Sequence, residues 1–406
     1  MLTNIYPRGY KRLVPLQLFW PHAEGFARWL VERGYPRVQI QRRLRRLPLI
    51  EQLLLDRGFT ALGNVAASDL LACGPATAWQ DKNRSAAVHS LVEYLSSRTL
   101  LRVPPLCPSE ALVAKYEVFL RQVRDAADST RRNHAATARE LLEFLDYDTG
   151  QAALGELDSR QIEAFVLKLN SRLSRASAQH AVAHLRSFLR YLSSRGLAPF
   201  GLDKRIDTPR LYRGECLPRA LPWDVVRAFL EAIDRTTPKG KRDYAMFLLM
   251  ATYGLRNCEV ASLRLEDIEW RGRKLHVRRS KTRSALVHPL TDEVGAALVE
   301  YIREARSAWP QREVFLRSQL PIGGIGSTAV TEAFQSWVRR SKLPIPYYGA
   351  HCLRHSLAIR LLRQGANIKT IGDLLGHRSA ESTCVYLRLH VEDLRGVALD
   401  LPQVQP

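Results

Sequence analysis

The sequence predicts a mainly α-helical protein whose last segment also carries a small antiparallel β-sheet. Three observations predict it. Apolar residues recur at helical spacing along most of the chain. Two short alternating runs, Lys274 to Arg278 and Ala285 to Leu290, flank a polar stretch in the manner of a hairpin. Proline clusters interrupt the helical pattern, around Val103-Pro104-Pro105-Leu106-Cys107-Pro108 and between Pro199 and Pro222, because proline fixes its own backbone and pushes the preceding residue out of the helical region.

These breaks divide the 406 residues into an N-terminal helical domain over 1–104, a second helical domain over 105–198, a linker over 199–221 and a mixed, mostly helical domain over 222–406. The first two look like diverged copies. Ala61-Leu62-Gly63 recurs as Ala153-Leu154-Gly155, and Tyr94-Leu95-Ser96-Ser97-Arg98 recurs as Tyr191-Leu192-Ser193-Ser194-Arg195. Periodicity predicts four helices in each, over 20–33, 36–57, 67–73 and 83–99, then over 110–124, 129–146, 159–170 and 175–195. In the third segment it predicts helices over 222–234 and 241–252, the hairpin, a helix over 291–308 and further helices to the end.

Composition narrows the function before any motif does. Hydrophobic residues are 46% and charged residues 25%, which excludes wholesale disorder and a membrane channel. Lys+Arg number 61 against 40 Asp+Glu, a net charge of +21, and every segment is net positive. Such an excess points to a polyanion as partner, and the arginine-rich balance suits phosphate. Six cysteines, at 73, 107, 216, 258, 352 and 384, form no C-x-x-C pair and fit a reducing compartment. The N-terminus lacks the apolar core of a signal peptide, and no apolar run approaches the ~20 residues of a membrane span. The expectation is a cytoplasmic protein without membrane contact.

Four motifs follow one another in the third segment: Gly254-Leu255-Arg256-Asn257-Cys258-Glu259, Ser280-Lys281-Thr282, His351-Cys352-Leu353-Arg354-His355, and Leu375-Gly376-His377 with Tyr386 nine residues on. In this order and spacing they resemble the tyrosine recombinase (phage-integrase-like) family, across roughly residues 107–395. The resemblance implies a helical core-binding (SAM-like) domain at 105–198 and a catalytic domain at 222–406. The shortest family members lack the first segment, which would be a second DNA clamp, an arm-site binder or a protein-interaction module, and the internal repeat favours the clamp, a diverged copy of the core-binding domain. By the same resemblance the catalytic set becomes Arg256, Lys281, His351, Arg354, His377 and Tyr386.

Physical reasoning gives each of these residues a task. Breaking a phosphodiester by transfer needs an in-line nucleophile and compensation for charge on the non-bridging oxygens, and arginine forks supply the second bidentately. Arg256 and Arg354 suit that role. Tyr386 is the candidate nucleophile, with Tyr347 and Tyr348 as competitors in a proline-rich turn. Lys281 sits between the two predicted strands and can protonate the departing 5′ oxygen, with Lys274, Arg279 and Arg283 as nearby alternatives. The family likeness gives His351 a share in managing the tyrosine proton and His377 a hydrogen bond to the phosphate; His355, four residues after His351, reads as a structural residue that packs or supports the site from behind. His351, Cys352, His355 and His377 could suggest zinc, but Cys352 should point to another helix face than its neighbour.

The expected activity is site-specific recombination or integration through a 3′-phosphotyrosyl intermediate, on a mobile element. One phosphodiester replaces another, so neither cofactor nor metal is expected. The expected partners are double-stranded DNA and related recombinases, as a homo- or hetero-tetramer. Arg131, Arg132, Arg172 and Arg175 lie near predicted helix starts where phosphate contact is expected. Relaxation in the manner of a type IB topoisomerase, or an inactive DNA-binding relative, is the alternative.

Overall fold

Caps and prolines explain where most helices begin and break. A computed structural model of the chain describes residues 1–75, 77, 81–150, 154–208, 219–278, 285–306, 308–376, 381–384 and 386–387. The first segment holds α1 (Leu2–Ile5), α2 (Trp20–Glu32), α3 (Arg37–Leu44), α4 (Leu47–Leu55), α5 (Ala67–Leu71) and α6 (Lys82–Ser97). The buried carboxylate of Glu51 on α4 accepts the backbone N–H groups of Gln17, Leu18 and Phe19, at 2.6, 3.1 and 2.9 Å, satisfying donors that lead into α2. The single helix predicted over 36–57 is split into α3 and α4. Pro48 sits in the first turn of α4, has no N–H to continue the ladder, and so ends the run at Arg45 and Arg46.

The second segment holds α7 (Pro108–Gln122), α8 (Asp128–Phe144), α9 (Ser159–Arg172) and α10 (Arg175–Ser194), close to the predicted spans. Asp158 and Gln161 form a reciprocal capping box at α9, and Ser174 caps α10. Their apolar faces meet in one core around Tyr116, Phe165, Leu185 and Phe188. The described residues of the repeated strings take the same local structure at both places. Leu62–Asn64 and Leu154–Glu156 are each a 3-10 turn, Tyr94 and Tyr191 are both buried, and the hydroxyls of Ser97 and Ser194 donate to the carbonyls of those tyrosines at 2.6 and 2.8 Å.

The third segment comprises α11 (Trp223–Glu231), α12 (Pro238–Tyr253), α13 (Asn257–Ala261), β1 (Ile268–Glu269), β2 (Lys274–Arg278), β3 (Ala285–Pro289), α14 (Asp292–Glu300), α15 (Ser327–Ser341), α16 (His351–Arg363), α17 (Ile368–Leu375) and α18 (Glu381–Cys384). The strands pair antiparallel in the order β1-β2-β3, with Lys274 opposite Pro289 and Arg278 opposite Ala285. The two-residue β1 is too short to leave an alternating pattern. The helix predicted over 291–308 is α14, prolonged by a π-helical turn at Tyr301–Ala305. Helix α12 is buried along most of its length at the centre of the core. There Asp243 accepts from the Trp337 indole at 2.9 Å and from the Arg242 fork at 2.9 and 2.7 Å, which ties α12 to α15 without an unpaired buried charge.

By backbone proximity the chain forms two units, one of Met1–Ala61, Asp69–Arg98 and Cys216–Pro406, the other of Leu62–Ser68 and Thr99–Glu215. Most of the first segment thus falls in one unit with the third, while Leu62–Ser68 falls in the unit of the second. Among the described residues no helix is long and apolar enough to cross a membrane.

Candidate active site

Helix α12 ends at Gly254 in the left-handed region, φ 65°, and a Cβ there would lie 2.4 Å from Cδ2 of Leu375. This tight exit delivers Arg256 as the residue that opens α13. Glu259, buried, accepts from the Arg256 backbone N–H and from its Nη1, both at 2.8 Å. The carboxylate therefore both closes the first turn of α13 and aims the guanidinium, whose Nη2 also donates to the carbonyl of Gly376 at 3.4 Å.

Arg354 comes from the first turn of α16 and is only 2% exposed. It donates through Nη1 to the Gly254 carbonyl and through Nη2 to the Leu375 carbonyl, the latter at 2.6 Å. Leu375 and Gly376 are the C-terminal end of α17, where the helix dipole favours cations. That helix end thus gathers arginines from two distant motifs.

Tyr386, two residues past α18, is 3% exposed and packs with Leu357, Ile371 and Leu375. Gly372 permits this docking, since a Cβ on it would come within 2.9 Å of Oγ1 of Thr383 on α18. The Tyr386 hydroxyl lies 3.0 Å from Nδ1 of His355. Burial pushes its pKa up, while the Arg354 and Arg256 charges and a hydrogen bond from Arg354 pull it down. His355 has its own pKa pushed down to about 4, first by burial and then by the cations of Arg354 and Arg219, so its imidazole is neutral. Its ring meets that of His351 edge to face, with centroids 4.8 Å apart. His351 opens α16 and is exposed.

The structure therefore brings together Arg256, Arg354, Tyr386, His351 and His355. Lys281 and His377 lie outside the described residues, as do Arg279 and Arg283; His377 follows Gly376 directly in sequence. The strands that flank Lys281 in sequence, β2 and β3, are each held in place. Arg278 at the end of β2 donates to the buried Asp267 at 3.1 Å. The Tyr253 hydroxyl, one residue before Gly254, donates to the Pro289 carbonyl at 2.8 Å and accepts from the Thr291 N–H at 3.0 Å. Of the competing tyrosines, Tyr348 is 74% exposed and Tyr347 packs on the main core. Cys352 is buried in that core while His351 faces out, as the helix geometry requires.

Sequence reasoning gave His355 a structural or supporting place, and the structure sets it against the Tyr386 hydroxyl; its position one turn after His351 on the same helix was the available signal for the contact. It also missed Glu259 as a clamp and Tyr253 as a staple, because only folding shows which distant backbone groups these side chains meet.

Residues 219–393 match the phage integrase family, and residues 113–196 match the phage integrase N-terminal SAM-like domain. The chain is 33% identical over 392 residues to the integrase/recombinase y4rA of Sinorhizobium fredii (strain NBRC 101917 / NGR234), covering 93% of each. It is 27% identical over 282 residues to the tyrosine recombinase XerC of Roseiflexus castenholzii (strain DSM 13941 / HLO8), covering 68% of this chain and 89% of that one. The solved structure of XerH site-specific recombinase bound to a palindromic difH substrate, a post-cleavage complex, shares the fold with a TM-score of 0.56 at 17% identity, over 82% of this chain and 96% of that one. Similarity of that extent to y4rA, together with both domain matches, shows that the chain belongs to the phage integrase family of tyrosine recombinases.

Proposed function

We propose that the chain is a site-specific DNA recombinase that breaks and rejoins a phosphodiester through Tyr386 and acts on a mobile element. The observation that carries this reading is the meeting of one buried phenol with two anchored guanidinium groups, from motifs far apart in sequence. A phosphate entering between Arg256 and Arg354 finds donors that need no reorganisation as charge develops. The Tyr386 oxygen attacks phosphorus, the 5′ oxygen leaves with a proton from Lys281, and His351 and His377 handle protons and phosphate contact. A 5′-hydroxyl from a partner strand then reverses the step, so the bond energy is conserved in the phosphotyrosine. Four such protomers on two duplexes, as a homo- or hetero-tetramer, complete an exchange. The strong positive charge and the helical segment at 105–198 serve DNA binding. The like ends of α6 and α10 favour a second clamp in 1–104.

The test is a suicide-substrate assay. Nicked duplexes from a randomised pool, enriched by binding to the Tyr386→Phe protein, are incubated with wild-type protein and resolved under denaturing conditions. A covalent adduct and strand exchange between two duplexes support the reading. Relaxation of any supercoiled plasmid without exchange, or no adduct at all, contradicts it.

A further inference from the structure

We propose that His355, rather than His351, takes the proton from Tyr386 during strand cleavage. The inference rests on the recombinase reading above and, within it, moves the tyrosine proton from His351 to His355, leaving His351 to phosphate contact. Three features of the site support it. Nδ1 of His355 is 3.0 Å from the phenolic oxygen, within the reach a general base requires. Arg354 also hydrogen-bonds the same oxygen, and in the tautomer that has its lone pair on Nδ1 the phenolic proton points at the ring. The ring is also held where it is: it stands edge to face against His351 on its own helix and tilted against Tyr386, with centroids 5.5 Å apart.

In the step, the phenolic O–H bond breaks as the bond from the Tyr386 oxygen to phosphorus forms, and the proton passes to Nδ1, leaving an imidazolium. The bond from phosphorus to the 5′ oxygen breaks, and that oxygen takes its proton from Lys281, the acid of the proposed function. The charged groups facing His355 explain why the transfer waits for DNA. Arg354 on its own helix and Arg219 ahead of α11 oppose a positive charge on it, and Arg256 stands by the tyrosine. A phosphate seated on these arginines cancels that opposition and makes the imidazole a stronger base at the moment it is needed.

The experiment measures single-turnover cleavage of the binding-selected nicked duplex by wild type, His355→Gln and His351→Gln, from pH 6 upward. Gln at 355 can accept the hydrogen bond but cannot hold the proton. A loss of about 10² in His355→Gln at neutral pH is expected. Its rate should climb about tenfold per pH unit, as hydroxide takes over the proton, while wild type stays nearly flat. A duplex with sulfur in place of the departing 5′ oxygen relieves only the need to protonate the leaving group, so it should not rescue His355→Gln. Wild-type rates in His355→Gln, a loss equal at every pH, rescue by sulfur, or the sloped loss appearing in His351→Gln instead would each overturn the assignment. Any of these with a wild-type adduct leaves the recombinase reading intact; no adduct from wild type removes both.

Discussion

Arg354 and Arg256 are fastened to consecutive carbonyls, Leu375 and Gly376, at the C-terminal end of α17. The two motifs lie about a hundred residues apart, yet one helix end fixes both forks before any phosphate arrives. Each is held a second time, Arg354 by the Gly254 carbonyl and Arg256 by Glu259. Preorganised donors of this kind are worth more than the same groups on free side chains, because no reorganisation is left for the reaction itself.

Arg354→Ala should therefore damage both fold and chemistry. It leaves the carbonyls of Gly254 and Leu375 without their donor in a buried place, at a cost of about 1–3 kcal/mol for each. Arg354→Lys keeps the charge but loses the fork, and should retain more stability than activity. Thermal melts beside adduct formation separate the two: equal activity of Lys and wild type would show that the fork is not used.

Gly254→Ala forces a side chain into the left-handed region, about 1–2 kcal/mol, and pushes a Cβ against Leu375. Gly295→Ala is the control, lying in α14 where a Cβ meets Leu290 at 3.8 Å. The first should lower the melting temperature and weaken cleavage by tilting Arg256. The second should leave cleavage alone and stabilise by about 0.5–1 kcal/mol.

Stability should fall on mild acidification. His355 and His134 both have their pKa lowered to about 4, from 6.5 in the unfolded chain. For His134 the cause is burial, then the nearby His184 and Arg124. Both are folded in the neutral form, so the unfolded chain binds more protons between the two values. The contribution is fully present above about 6.5 and is lost as pH drops toward 4. Melts from pH 7 to pH 5 should show the fall, and His355→Gln or His134→Gln should each flatten part of it. Curves with unchanged slope would argue against neutral histidines.

The arginines of the second segment should not be equal. Arg131 is paired with Asp128 and Arg172 with Glu140, whereas Arg132 is exposed. Arg132→Ala should weaken DNA binding uniformly across sequences and reduce the salt slope by about one, with smaller changes for Arg131→Ala. Equal losses at all positions would mean that the ion pairs open on DNA.

Much of this was legible in the sequence. The second segment's helices fell within a few residues of their predicted spans because strong apolar periodicity coincides with caps at Asp158 and Ser174. The split between α3 and α4 was not seen, since the apolar pattern runs on through Pro48 and only the missing N–H breaks it. Motif order led to Arg256, Arg354 and Tyr386, which meet in space. What it could not give was the scaffold between them. Whether His355 faces core or hydroxyl depends on where α18 docks, and that depends on the bare surface of Gly372. Nor does any local pattern say that Tyr253 will fasten the end of β3.

The central claim is that the Tyr386 oxygen becomes bonded to DNA. The most direct measurement is protease digestion of the denatured protein–DNA adduct, followed by mass spectrometry of the peptide that carries the nucleotide. The expected result is one modified peptide with the added mass on Tyr386, absent from the Tyr386→Phe protein. A nucleotide on Tyr347, Tyr348 or any other residue, or an undiminished adduct with Tyr386→Phe, would contradict it.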